Sequence, residues 1–142
     1  MTPGHRHCQW LYRYLLLAAI GVGGCAPEDP PPGADGSHSP FVGLPVGRVA
    51  VGQRLAERKN SQTQLSCSDC HGPGGNRPTH STYPLLGGQP DDYLAYALLA
   101  YRRQSRADPV MQWYAHPLTD QEIADLAVYF GAQPSRLHPI VP

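Results

Sequence analysis

The sequence predicts an all-α fold, and three observations carry that prediction. Three stretches place apolar residues at helical spacing, no stretch alternates apolar and polar residues as a half-buried strand does, and glycine and proline gather between the three. The folded part runs from about residue 48 to 134, with 135–142 as a C-terminal tail. A domain below ~100 residues buries too little apolar surface to be secure on its core alone, so a staple of some kind is expected.

The first helix is read in "RVAVGQRLAERK", where Val51, Leu55 and Ala56 share one side and charges lie opposite. Gly52 stands on that same apolar side. A glycine within a helix costs roughly 1 kcal/mol relative to alanine, and a close crossing by another helix would account for it. The second helix is "QPDDYLAYALLAYRR": Pro90 suits the first helical position, Asp91 and Asp92 meet the positive end of the helix dipole, and arginines close the far end. Its apolar stripe is Tyr93, Leu94, Ala97, Leu98 and Tyr101. In "LTDQEIADLAVYFG", Thr119 and Glu122 form a capping box, with Leu118 and Ile123 at the staple positions around it. Ile123, Leu126, Ala127 and Phe130 make the buried face of this third helix, and Gly131 is read as ending it in left-handed geometry.

Ahead of the domain, "MTPGHRHCQWLYRY" carries Arg6 and Arg13 and is followed by the short uncharged run "LLLAAIGVGG". A basic segment before an apolar run too short to span a bilayer reads as a secretory leader, residues 1–24. It ends in "VGGC", small residues directly before Cys25, which resembles the lipobox of bacterial lipoproteins and makes Cys25 the lipid-bearing first residue. Residues 25–47, rich in proline and glycine, then form a lipid-anchored tether. Ala26 stands where an aspartate would argue for retention at the inner membrane, which points toward the outer one.

The charge balance excludes one class of partner. Eleven basic residues face eleven acidic ones, and removing Arg6 and Arg13 leaves nine against eleven, no footprint for nucleic acid. Arg102, Arg103 and Arg106 cluster where cations suit a helix C-terminus.

With Cys8 in the leader and Cys25 lipidated, only Cys67 and Cys70 remain for the domain, in "LSCSDCHGPGG". A thioredoxin-like pair wants a strand and a βαβ frame, which this chain does not offer. A structural zinc wants four ligands, and His80 is a poor fourth across a gap of glycine and proline. The remaining reading is C-x-x-C-H as a covalent haem attachment signature: Cys67 and Cys70 form thioethers with the vinyl groups, and His71 is carried to the iron as an axial ligand. Besides the initiator the chain has a single methionine, Met111, forty residues after His71. Placed in the proline-flanked loop "DPVMQWYAHPLT", it is the candidate second axial ligand. His80, His116 and His138 are held in reserve.

In this pattern residues 48 to 133 resemble a class I c-type cytochrome of the small, single-haem bacterial kind. The resemblance rests on Gly52 in the first helix, Cys67, Cys70, His71 and Gly72, then "YPLLGGQ", Met111, and Tyr129 with Phe130 in the last helix. It implies about three main helices wrapped around one covalently attached haem c. It also implies that Pro84 offers its carbonyl to the His71 Nδ1–H, and that Gly52 touches the last helix near Leu126, Tyr129 or Phe130. The function implied is one-electron transfer between membrane or periplasmic redox partners, by a protein that is not itself an enzyme. The alternatives are a haem-bearing subunit of a dehydrogenase or oxidase, and a five-coordinate haem sensor or enzyme if Met111 does not ligate. The expected location is the periplasmic side of a Gram-negative-type bacterium, held to the membrane by lipid. Leu85, Leu86, Leu94, Leu98 and Val110 are candidate pocket residues, and Tyr83, Arg77 and Trp113 candidate partners of the haem propionates.

Overall fold

A computed structural model of the chain describes residues 38–41 and 43–137. The leader, Cys25, most of the tether and His138 lie outside the described residues. Five helices follow in order: α1 Val49–Glu57, α2 Cys67–His71, α3 Asp91–Arg102, α4 Pro109–Ala115 and α5 Asp120–Gly131, with a 3-10 turn at Pro73–Gly75 after α2. No strand occurs among the described residues, so the all-α expectation is met. The three long helices are those read from periodicity; α2 and α4 are additional and short.

α5 is the central strut. Residues Ile123 through Phe130 are all buried, so this helix is covered on every side over two turns. It starts with the predicted capping box: Thr119 Oγ1 accepts from the Glu122 amide at 3.2 Å, and Glu122 Oε2 accepts from the Thr119 amide at 3.0 Å. Its end differs from expectation. Gly131 is the last helical residue and Ala132 follows in right-handed geometry, so no left-handed cap forms. A Cβ on Gly131 would come to 3.0 Å from the Asp91 Cβ, which gives the glycine a packing role where α3 begins.

α1 lies directly on α5. A Cβ on Gly52 would stand 2.0 Å from the Asp125 carbonyl oxygen and 2.6 Å from the Tyr129 Cβ, so the two backbones touch at this residue. The crossing inferred from the costly glycine is present, and it falls at Tyr129, one of the three expected residues, and at Asp125 one turn before it. An ion pair between a buried carboxylate and a partly exposed arginine secures it. Asp125 is 1% exposed, and its carboxylate accepts from the Arg48 amide at 2.8 Å, from Arg48 Nε at 3.2 Å and Nη2 at 2.9 Å, and from Gln121 Nε2 at 2.9 Å. A carboxylate withdrawn from water needs this many donors to be tolerated.

α3 packs on the other side of α5 through Leu94, Ala95 and Leu99, which join Ile123, Leu126 and Ala127 in the core. Pro90 is its N-cap residue rather than its first helical residue, with Asp91 and Asp92 in the first turn. The stripe Tyr93, Leu94, Ala97, Leu98, Tyr101 faces a cavity shared with α2, α4 and α5. Met111, expected in a loop, sits on α4. Asp108 Oδ1 caps that helix by accepting from the Met111 amide at 2.9 Å, and Pro109 takes the first position, where no amide is required. The proline that looked like a loop marker is therefore a helix starter.

Replacing Gly52 by alanine would press a methyl group into the α5 backbone, which has no side-chain freedom with which to yield. The expected cost is about 3 kcal/mol, read as a lower denaturant midpoint with unchanged slope. A midpoint equal to that of the parent would show that α1 and α5 are not held at this point.

Candidate functional site

The site begins with one turn of helix. Ser66 caps α2: its Oγ accepts from the Asp69 amide at 3.3 Å, and its own amide donates to Asp69 Oδ2 at 2.6 Å. Lys59 also pairs with Asp69. Hydrogen bonds from Lys59 and then Ser66 push the Asp69 carboxyl from 3.8 down to about 2. Its contribution to the cap is thus fully present above pH 3.8 and is lost as the pH falls through 2. Helical geometry over Cys67–His71 sets positions i, i+3 and i+4 on one face, so both thiols and the imidazole point the same way. Gly72 then breaks the helix with φ +78, a conformation costly to any residue with a Cβ.

His71 is 5% exposed. Its Nδ1–H donates to the Pro84 carbonyl at 3.0 Å, the contact the resemblance implied. Burial lowers its pKa, against an opposing effect of the Pro84 bond, so the ring is neutral near pH 7. With Nδ1 carrying the proton, Nε2 keeps a free lone pair, the form in which imidazole binds a metal. Cys67 and Cys70 are free thiols, and burial pushes Cys67 up to about 11.

These groups open onto a largely apolar cavity of about 250 Å³. His71, Pro84, Cys67 and Cys70 line it from the α2 side, Leu94 and Leu98 from α3, Met111 from α4, and Leu126 and Phe130 from α5. Of the candidate pocket residues Leu86, Leu94, Leu98 and Val110 line it, and Leu85 does not. Sequence reasoning missed Tyr114. It lines the same cavity, and its hydroxyl is 2.7 Å from Thr63 Oγ1, tying α4 to the loop that precedes Ser66. Its one signal was the aromatic density of "MQWYAHPLT". Trp113 turns its edge to Tyr114 at 4.9 Å and is 41% exposed; neither it nor Arg77 lines the cavity. His80 bonds Thr82 Oγ1 at 2.8 Å; it and His116 are both exposed, and neither lines the cavity.

Among the described residues no group of three or more His, Cys, Asp and Glu is placed to hold a bare metal ion. Two free thiols one turn apart, a neutral buried imidazole and a thioether around one apolar space fit a metal carried in a flat apolar macrocycle.

The family model for cytochrome c matches residues 49–131. The chain belongs to the cytochrome c family. Membership brings a covalently bound haem c, and the Cys67, Cys70, His71 run fits its attachment motif. Cytochrome c4 of Thiocapsa roseopersicina is 44% identical over 90 residues, which cover 62% of this chain and 46% of that protein. The cytochrome subunit of sulfide dehydrogenase from Chlorobaculum tepidum is 33% identical over 94 residues, 66% of this chain and 83% of that one. Among solved structures, reduced recombinant cytochrome c4 from Pseudomonas stutzeri aligns with TM-score 0.55 at 28% identity, covering 61% of this chain and 48% of that chain. The cytochrome thus spans about half the length of the cytochromes c4 it matches.

Changing Cys67 and Cys70 together to serine should leave a colourless chain in cells that mature c-type cytochromes. The parent, denatured and extracted with acidified solvent, should keep its haem on the polypeptide in mass spectrometry. Haem retained by the double variant would rule out these thiols as the points of attachment.

Proposed function

We propose that this cytochrome is a one-electron carrier whose haem iron is bound by His71 Nε2 on one side and Met111 Sδ on the other. The observation that carries the reading is the cavity shared by a neutral, carbonyl-locked imidazole and Met111, the one methionine among the described residues. Haem c supplies an iron that exists as Fe(II) or Fe(III) and so holds or releases one electron. The chain's own residues decide what that iron can do. Pro84 fixes the His71 ring and strengthens its donation. The Asp108 cap holds the turn that bears Met111, so the thioether is presented from a helix rather than a loose loop. With His71 and Met111 both holding the iron, no place would be left for a substrate, and a soft thioether in an apolar cavity would favour the reduced state.

The second reading, a haem-bearing subunit of a larger dehydrogenase, draws support from relatives named as a cytochrome subunit of sulfide dehydrogenase and as a thiosulfate dehydrogenase electron acceptor. The chemistry at the iron is the same in both readings. Co-purification with a catalytic chain separates them. Partners in either case are redox proteins met at a small, short-lived interface. In this reading the cytochrome works on the periplasmic side of the membrane, on a lipid-bearing tether that raises the concentration of partners within reach; the leader-like segment and the lipobox-like run before Cys25 support it. No helix among the described residues is long and apolar enough to cross a membrane. Cys25→Ser should move the protein from the membrane fraction to the soluble periplasmic fraction; an unchanged distribution would remove the anchor from the proposal.

Met111→Ala should lower the reduction potential by on the order of 0.1 V or more, within the ~0.8 V that axial ligands span, while the haem stays covalently attached. The reduced parent should refuse carbon monoxide and the variant should bind it. Rapid binding by the parent would instead mark an open iron and a sensor or enzyme.

A further inference from the structure

The three arginines grouped near the end of α3 part company in three dimensions. Arg102 bonds the Leu118 carbonyl at 2.9 Å and pairs with Asp120 at 2.6 Å. Arg103 is exposed. Arg106 is brought back over α3. Gln104 adopts φ +60, a left-handed conformation unusual outside glycine, and the amides of Ser105 and Arg106 both reach the Ala100 carbonyl, at 2.9 and 3.3 Å. From the α4 side, Gln112 Nε2 holds the Arg106 carbonyl at 2.8 Å. The half-buried guanidinium then rests over the rings of Tyr101 and Tyr93, 4.9 and 5.9 Å from their centroids, and gives one hydrogen bond to Tyr93 Oη at 3.3 Å.

All three side chains line the haem cavity, and among the described residues Arg106 is the only lysine or arginine that does. The groups facing it are the two tyrosines and Asp108, the one carboxylate lining the cavity among the described residues, which is spent on the Met111 amide. Among the described residues no carboxylate forms an ion pair with Arg106. A guanidinium carries five N–H donors in a planar fork suited to carboxylates. Here it is aimed at an apolar space with most of those donors unused. Those donors are open to water on one side and to an anion brought by the occupant of the space on the other. Haem c brings one, because attachment uses its vinyl groups and leaves two propionate carboxylates.

We propose that Arg106 is the partner of a haem propionate and, through that pairing, a determinant of the reduction potential. Tyr93 and Tyr101 act as positioning residues that hold the guanidinium plane. An unpaired propionate near the iron favours Fe(III); a guanidinium on that propionate cancels the effect and favours Fe(II). The pairing also keeps the propionate ionised as the pH falls. Arg77 and Trp113, candidates from the sequence, take no part.

The test is a spectroelectrochemical titration of the haem-loaded parent, Arg106→Gln and Arg106→Lys between about pH 5 and 8. At a fixed mediator poise Arg106→Gln should show a reduced-to-oxidised ratio about tenfold lower, about 59 mV for a one-electron couple. It should also gain a pH-dependent step absent from the parent. Arg106→Lys, which keeps the charge and loses the fork, should lie between the two. The long-wavelength sulfur-to-iron band, read on the same samples, reports Met111 ligation separately, so its absence would overturn the axial assignment and leave the Arg106 comparison standing. Equal potentials in all three proteins at every pH would overturn the proposal, even with a lowered melting temperature in the variants. A shift in Arg106→Gln that lysine does not diminish would overturn it as well.

Discussion

The contact of the α1 backbone with the α5 backbone at Gly52 is the constraint on which the rest of this small domain is hung. It brings two helices together with no side chain between them, and the buried Asp125 closes the contact by gathering the Arg48 amide and guanidinium. Once α5 is held on that side, its other side presents Leu126 and Phe130 to the cavity, and the cap of α5 at Thr119 sets where α4 must end. None of this frame fills the cavity itself. A domain this size has little core to spare, so the group that occupies the space completes the interior as well as supplying the chemistry, and its covalent attachment keeps it from being lost when the helices breathe.

The two sides of the site reach the cavity from segments far apart in the chain, and each is braced by its own hydrogen bonds. On one side, the Ser66–Asp69 box starts α2 and the Pro84 carbonyl orients His71. On the other, Asp108 starts α4 and the Tyr114 hydroxyl fastens it to Thr63. Such bracing suits one-electron chemistry, in which the surrounding groups should move as little as possible between the two charge states. The cavity's charge economy follows the same logic: among the described residues its lining is neutral apart from one carboxylate that caps α4 and one arginine held over two tyrosine rings.

Two features written in the sequence meant something other than their local signal. Proline beside Met111 reads as a loop, but with Asp108 before it the same residue opens a helix, because the first helical amide has no intrahelical partner to lose. Gly131 at the end of a helix reads as a left-handed cap, but the nearest neighbour to its missing Cβ is the first turn of α3. Tertiary packing supplied the reason for each residue, and the same packing turned the Tyr93 to Tyr101 stripe toward a cavity rather than toward another helix.

By itself the sequence determined the helical class, the positions of the three long helices, the turn that sets two thiols and an imidazole on one face, and the need for a close crossing at Gly52. All of these are local: they follow from periodicity, capping and the spacing of adjacent residues. Only the tertiary structure decided that Met111 rides on a helix, that Tyr114 joins the cavity wall, and that Arg106 alone of its cluster turns inward. Those placements depend on where the chain goes after Gln104 and Asp108, and a turn's direction is settled by what it packs against, which no run of neighbouring residues records.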